Sequence, residues 1–399
     1  MDPELDRVSR VLETAVEANQ IPGAVALVRH RGETVFHEAI GHTASLPDSR
    51  PMQLDTLFDL ASLTKPLVGA TVALSMVDQG ILSLDEEVTK FVPELKSLRG
   101  EGVTLRSLLS HTSGLAGWRP LYAWAQDPKG VLSAIDRMGL VTRPGTRSEY
   151  SDIGFVTLGL ALQRAGDQPL DELAAELIFE ELGLEHTGFR PSAPSDAFAV
   201  TELGNAFERR MAEWAGLEFD GWRTDFHPGE VNDGNAHYAM AGVSAHAGLF
   251  SNAADVGVLG EMWLGRAKPA VLSRAVMELA TTDQTPHGSG RGLGWQLMRR
   301  RGSTLEELGR TQAGFFPPAE TPWSPQASGE LFSPAAFGHT GFTGTSIWID
   351  PTRELVAVLL TNATHPSVDI DKPTNVLRAK FHNAVVASLD SATSRRETS

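Results

Sequence analysis

"TSIWIDPTRELVAVLL", residues 345–360, sets two apolar runs on either side of Asp350-Pro351. Both runs are short and rich in β-branched and aromatic residues, and the Asp-Pro pair punctuates them, so the stretch reads as a β-hairpin. Near the opposite end, "AVALVRHRGETVFHEAIG" (24–41) has the same form around Arg31-Gly32. Outside each hairpin lies an amphipathic helix. Leu5, Val8, Leu12 and Val16 recur at helical spacing in the first, and Leu377, Phe381, Val385 and Leu389 form one stripe in the last. The text between is mostly helical, as in "TLGLALQRAG" (157–166) and "LDELAAELIFEEL" (170–182). The expectation is an α+β fold in which both chain ends build one antiparallel sheet, flanked by the N- and C-terminal helices, with an all-helical lobe inserted. A single domain over 1–399 would then have a sheet lobe from about 1–60 and 291–399 and a helical lobe over about 61–290.

Composition removes several classes of function. The 399 residues contain no cysteine, which excludes disulfides, thiolate catalysis and Cys-ligated zinc. Thirty-four basic against 50 acidic residues give a formal charge of −16, which argues against nucleic acid or an anionic membrane as partner. No apolar run approaches the ~18 residues of a membrane span. The first residues carry acidic charge and no apolar core of a signal peptide, so a cytoplasmic location is expected. From 314 to 334, "GFFPPAETPWSPQASGELFSP" has no usable periodicity and reads either as a lid or binding loop or as a solvated excursion.

Single motifs mislead here. "HEAIGH" (37–42) has three residues between Glu38 and His42 where a zincin has two, and it reads as a strand, so no metal site is expected. "GVSAH" (242–246) lacks the second glycine of a nucleophile elbow, and "HGSGRGLGW" (287–295) reads as turns. Three short elements fit together better. Ser62-Leu63-Thr64-Lys65 opens a helix after the first strands, and Tyr150-Ser151-Asp152 precedes a helix of the inserted lobe. His339-Thr340-Gly341 lies at a strand near the C-terminus. In a helix Ser62 and Lys65 share one face, as a nucleophile and its activator would, or as a cap and a surface lysine.

In this order the three elements resemble those of the serine β-lactamase and penicillin-binding-protein superfamily, especially class C β-lactamases and family VIII carboxylesterases. "LLSHTSGL" (108–115), "AGVSAHAGLFSNAADV" (241–256) and "GLGW" (292–295) are similar to text of that family as well. The resemblance implies an antiparallel sheet of five or more strands beside a helical region, with the active site between them. It implies cofactor-free hydrolysis through an acyl-enzyme, with Ser62 as nucleophile and Lys65 and Tyr150 sharing its proton. Either of the two is open as general base. The backbone N–H groups of Ser62 and Phe342 would form the oxyanion hole, and Asp152, His339, Thr340 and Gly341 would meet the substrate.

Two departures from the penicillin-recognising pattern matter. His339 stands where a lysine is usual, and Asp152 where an asparagine is usual. A neutral histidine offers no charge to a substrate carboxylate, and an anion at 152 repels one while favouring a charged Lys65. Asp152 also reads as a helix cap. Both changes point to a small, neutral ester or amide substrate. The expected activity is that of a carboxylesterase on small acyl esters, with a β-lactamase, a D-alanyl-D-alanine carboxypeptidase or an idle binding protein as alternatives. His111 and His246 are placed in helix ends or turns without a triad role. The aromatics of "GWRPLYAW" (117–124), with Phe315, Phe316 and Trp323, are candidates for lining an acyl pocket.

Overall fold

The computed structural model describes residues 5–45, 49–298, 327–369 and 374–398. The first helix, α1, is Asp6–Glu17. β1 (Gly23–His30) and β2 (Glu33–Gly41) pair antiparallel, so "HEAIGH" is strand text. Arg31 and Gly32 join them at φ +56° and +86°, the two left-handed residues that a tight turn matching strand twist requires. At the other end β8 (Ser346–Asp350) and β9 (Leu355–Thr361) form the second hairpin, and β9 pairs antiparallel with β1. With β6 (Gln296–Leu297) and β7 (Phe337–Thr340) they make a six-stranded sheet of order β2-β1-β9-β8-β7-β6. The two chain ends therefore build one sheet, as expected.

Every residue of β9 is buried, which explains why "LVAVLL" reads as an unbroken apolar run rather than an alternating one. Ala357 and Leu359 face α1 and the last helix, α11 (Thr374–Thr398), in a cluster with Val8, Leu12, Phe381 and Val385. Val356, Val358 and Leu360 point the other way, into the large core that holds Val256 and Leu259. Those two belong to α9 (Ala253–Trp263), a helix from the middle of the chain that packs against β9, β1 and β8.

The middle segment also carries α2 (Thr71–Asp78), α3 (Leu105–Leu109), α4 (Pro128–Met138) and α5 (Asp152–Gly166). They are followed by α6 (Leu170–Ala174), α7 (Glu180–Leu182), α8 (Ala206–Trp214) and α10 (Arg274–Ala280). α5 is buried without a break from Asp152 to Leu162 and forms the axis of this region. The segment is not wholly helical. β3 (Phe58–Asp59), β5 (Leu249–Ser251) and β4 (Gly188–Phe189) form a small sheet of order β3-β5-β4, with strands too short to leave an alternating pattern in the sequence. Among the described residues no helix is long and apolar enough to cross a membrane.

The seat of α9 on the sheet depends on Gly260. A Cβ there would lie 2.4 Å from Val356 Cγ1 and 3.1 Å from Cγ2. Gly260→Ala should therefore destabilise the protein by about 1–3 kcal/mol through overpacking. The same change made in a Val356→Ala background should cost clearly less. Urea unfolding of the four proteins reads the coupling, and additive losses would show that helix–sheet contact is not the cause.

Candidate active site

Ser62 and Lys65 lie in one continuous helical run that is not a regular α-helix. It begins as a 3-10 turn, Ala61–Leu63, continues as a π-turn, Lys65–Ala70, and becomes α only at Thr71. Pro66 has no N–H to give to the carbonyl one turn back, where the Thr64 hydroxyl donates to Ala61 O at 2.7 Å. The expected juxtaposition of the two side chains still holds. Lys65 Nζ donates to Ser62 Oγ at 2.9 Å.

Lys65 has no exposure to water at all. Its ammonium donates to Ser62 Oγ and to His246 O at 3.0 Å, and Asp152 Oδ1 lies 2.7 Å away as its ion-pair partner. Burial pushes the lysine pKa down, but the Asp152 carboxylate and then Tyr150 outweigh it and leave Lys65 above its ordinary value. It is an ammonium at neutral pH. Asp152, expected at the substrate, is buried with its carboxylate turned to Lys65. It is not the helix cap either, since Ser151 Oγ accepts the Gly154 N–H at 2.8 Å.

Tyr150 sits directly before that cap, its phenol bonded toward Lys65 and Ser62 and its ring centroid 4.9 Å from Lys65 Nζ. Burial pushes the phenol above its ordinary pKa, and the Lys65 charge opposes the rise. The loop after α3 clamps this stretch. Ser151 N donates to His111 Nδ1 at 3.0 Å, Glu149 N to His111 O at 2.8 Å and Asp152 N to Gly117 O at 2.7 Å. The buried His111 ring, 4.6 Å from the Tyr150 ring, is held well below its ordinary pKa by burial and by Arg291. It is neutral, with Nδ1 as acceptor.

His339 closes the group from β7, its ring centroid 5.9 Å from that of Tyr150. Burial, with the charges of Lys65 and Arg291, holds it well below its ordinary pKa, and Nδ1 donates to Thr340 O at 2.8 Å. Gly341 and Phe342 follow in the turn into β8, where Gly341 N donates to Thr345 O and Gly344 N to Gly341 O. A Cβ at Gly341 would fall 2.4 Å from Leu60 O, so glycine lets this turn touch the backbone two residues before Ser62. Thr343 Oγ1 donates to Asp59 O and Thr345 Oγ1 to Leu60 O, at 2.7 and 3.1 Å, which seats the Phe342 turn against Ser62. Phe342 itself is exposed and stacks near Phe207.

Several contributors carry no signal that the sequence motifs make visible. His246 acts through a main-chain carbonyl, which any residue has. Its neighbour Ala245 threads between two helices at glycines: a Cβ at Gly69 would meet Ala245 O at 2.9 Å, and one at Gly159 would meet Ala245 Cβ at 3.0 Å. Arg291, in text read as turns, places its guanidinium 5.1 Å from the Tyr150 ring centroid. Of the aromatics expected to line a pocket, Trp118 and Tyr122 are buried and Trp124 is exposed, while Phe315, Phe316 and Trp323 lie outside the described residues.

Asp59 holds the turn that presents Ser62. Ala61 has φ +47°, which costs a residue with a side chain about 1–2 kcal/mol. The Ala61 N–H donates to Asp59 Oδ1 at 2.8 Å, and the Asn232 N–H to Asp59 Oδ2 at 2.6 Å. Burial raises Asp59 from 3.8 to about 6 despite those two bonds. The folded state thus binds this proton more tightly than the unfolded chain. Its stabilising effect is full below pH 4 and is lost as pH rises through 6, where the ionised group costs about 3 kcal/mol. Relative to Asp59→Asn, which does not titrate, the wild type should gain stability as pH falls from 7 to 5 and lose turnover over the same interval. Urea unfolding and kcat/KM at matched pH read both arms, and a constant difference in either would remove Asp59 from this role.

Comparison with known proteins shows the family of the chain. The family model described as Beta-lactamase matches residues 8–380. The chain is 31% identical over 403 residues to "N-acetylmuramyl-L-alanine amidase" of Bacillus subtilis (strain 168), covering 94% of this chain and 84% of that protein. It is 30% identical over 401 residues to "Putative D-alanyl-D-alanine carboxypeptidase" of Escherichia coli O157:H7, covering 94% and 86%. Among solved structures it is similar to EstCE1, a hydrolase with promiscuous acyltransferase activity, with a TM-score of 0.71, 20% identity and coverage of 96% and 99%. A class C β-lactamase gives a TM-score of 0.66 at 19% identity, covering 95% and 97%. A sheet made from both chain ends, a helical insert and a serine beside a buried lysine thus stand in a chain that belongs to the Beta-lactamase family of serine hydrolases.

Proposed function

We propose that the protein is a carboxylesterase acting on small acyl esters through an acyl-enzyme on Ser62. The observation that carries the ester reading is His339, buried and neutral where a carboxylate-binding cation would stand. A neutral ester needs no counter-charge at that position, whereas a β-lactam or a peptide with a free C-terminus does.

The charge held on Lys65 supports a division of roles. Lys65, held as an ammonium by the Asp152 carboxylate, has no lone pair to offer. The base is Tyr150, through the small fraction of phenolate that the adjacent ammonium stabilises. Ser62 Oγ gives its proton to Tyr150 Oη as it bonds to the acyl carbon, and the carbonyl oxygen becomes an oxyanion held by the Ser62 and Phe342 N–H groups. Collapse breaks the C–O bond to the alcohol, which takes the proton from Tyr150. Water then repeats the cycle on the acyl-enzyme, regenerating Ser62 and releasing the acid. Asp152 keeps Lys65 charged rather than touching the substrate.

A second reading, cleavage of a substrate with a free carboxylate, is favoured by one observation. The Arg291 guanidinium over Tyr150 supplies a cation at the edge of the same group.

A fluorophosphonate adduct should map to Ser62. Ser62→Ala should keep the fold by circular dichroism and lose several orders of magnitude in turnover of p-nitrophenyl esters. Near-normal turnover in the Ser62→Ala variant would sink the acyl-enzyme.

The substrate class is tested by a ratio. Wild type should hydrolyse p-nitrophenyl butyrate far better than nitrocefin. His339→Lys should shift that ratio toward nitrocefin by about 10- to 100-fold, most at low salt, because an ion pair with the β-lactam carboxylate contributes about 1–3 kcal/mol. Equal kcat/KM for both substrates in wild type would replace the ester reading with the second one, and Arg291→Gln should then depress nitrocefin turnover selectively.

A further inference from the structure

Behind Lys65 lies a hydrogen-bonded chain of serine, histidine and aspartate that the ester mechanism does not use. Ser244 Oγ is 2.7 Å from His246 Nδ1, and His246 Nε2 is 2.8 Å from Asp233 Oδ1. A carboxylate only accepts, so Nε2 carries a hydrogen toward Asp233, and Nδ1 shares the second bond with the Ser244 hydroxyl. Asp233 is anchored in turn by the Ala236 N–H at 2.8 Å. Burial alone would push the Asp233 carboxyl up, but the His246 ring holds it below its usual range.

The residue types are those of a hydrolytic triad, and the burial excludes that role. Ser244 is 1% exposed, so no acyl group reaches its oxygen. What the chain does control is the backbone. Both nitrogens of the His246 ring are bonded, the ring is 1% exposed, and Ala245 is caught between Gly69 and Gly159. The peptide that follows this clamped ring carries the carbonyl that accepts from Lys65 Nζ at 3.0 Å.

We propose that Ser244, His246 and Asp233 form a positioning chain that fixes the His246 carbonyl as an acceptor for Lys65, keeping the ammonium charged and aimed at Ser62. Its catalytic consequence rests on the reading of Lys65 and Ser62 given above. The other titratable and charged groups around Lys65 are Asp152 and Tyr150 at the start of α5, His111 after α3, His339 on β7 and Arg291 beside Tyr150. Removal of Asp233 leaves the direct partners of Lys65 in place and takes away only the anchor of the His246 ring. The same carboxylate adds a negative charge felt by Lys65, so an Asn variant separates anchoring from charge.

The test uses the full chain with Asp233→Ala, Asp233→Asn and the milder Ser244→Ala. Asp233→Ala should lower kcat for p-nitrophenyl butyrate by about 10- to 100-fold with KM within about twofold, Ser244→Ala should lower it less, and Asp233→Asn, whose amide oxygen still accepts from Nε2, should recover most of the loss. The chain has seven lysines, so 13Cε-lysine NMR with Lys65→Arg for assignment follows this ammonium directly. Lys65 should titrate at lower pH in Asp233→Ala and in Ser244→Ala than in wild type. Unchanged titration in both variants overturns the proposal, as does a kcat loss that Asp233→Asn fails to recover. A wild type without esterase turnover would overturn the proposed function alone, and the lysine titration would still decide the positioning chain.

Discussion

A lysine with no contact with water is the constraint on which the rest of the site depends. Taking an ammonium out of water costs several kcal/mol, and the cost is offset only if the hydrogens find acceptors of good geometry. Lys65 donates to Ser62 and to the His246 carbonyl and pairs with Asp152, partners from three parts of the chain: its own helical run, the 244–246 segment and the start of α5. Removing one partner leaves a buried charge uncompensated, a loss of about 3–5 kcal/mol. The lysine therefore ties these elements together, and the close approaches at Gly69 and Gly159 are the packing that such a meeting requires.

Fixing the charge also decides where protons can go. An ammonium orients its neighbours and lowers the energy of an adjacent anion, but it takes no proton. Under the proposed mechanism this divides the work. Lys65 supplies the field, Tyr150 moves the proton, and Asp152 keeps the two from exchanging roles. The departure at position 152 is then a change on the lysine side of the site. An asparagine could bond the lysine and turn its amide to a substrate, whereas the carboxylate is buried against Lys65.

The sheet was legible because both hairpins and both terminal helices carry their periodicity in the sequence, and β9 shows the one modification that two-faced burial produces. The small sheet β3-β5-β4 was not, since two- and three-residue strands have no period. At the site, Ser62, Lys65, Tyr150 and His339 could be named from motif order because side-chain chemistry is what a motif records. The position of Asp152 against Lys65 depended on the orientation of the start of α5, which motif order does not state. The carbonyl of His246, the carboxylate of Asp59 beneath Ala61 and the ring of His111 behind Ser151 act on or through the backbone. Such contacts depend on the fold and leave no residue pattern near the residues they serve.

Charge balance links the site to its substrate. Lys65 and Asp152 form a neutral pair, His339 is held uncharged by the same burial and by the positive groups around it, and Asp233 is engaged with His246. A further ammonium at 339 would enter a pocket already holding Lys65 and Arg291, and the two that push His339 toward neutrality would oppose it as well. Histidine at 339 is thus the electrostatic counterpart of the guanidinium over Tyr150. A cation stands instead beside the tyrosine ring, 5.1 Å from its centroid. Under the proposed function an uncharged acyl group needs no counter-ion beside His339.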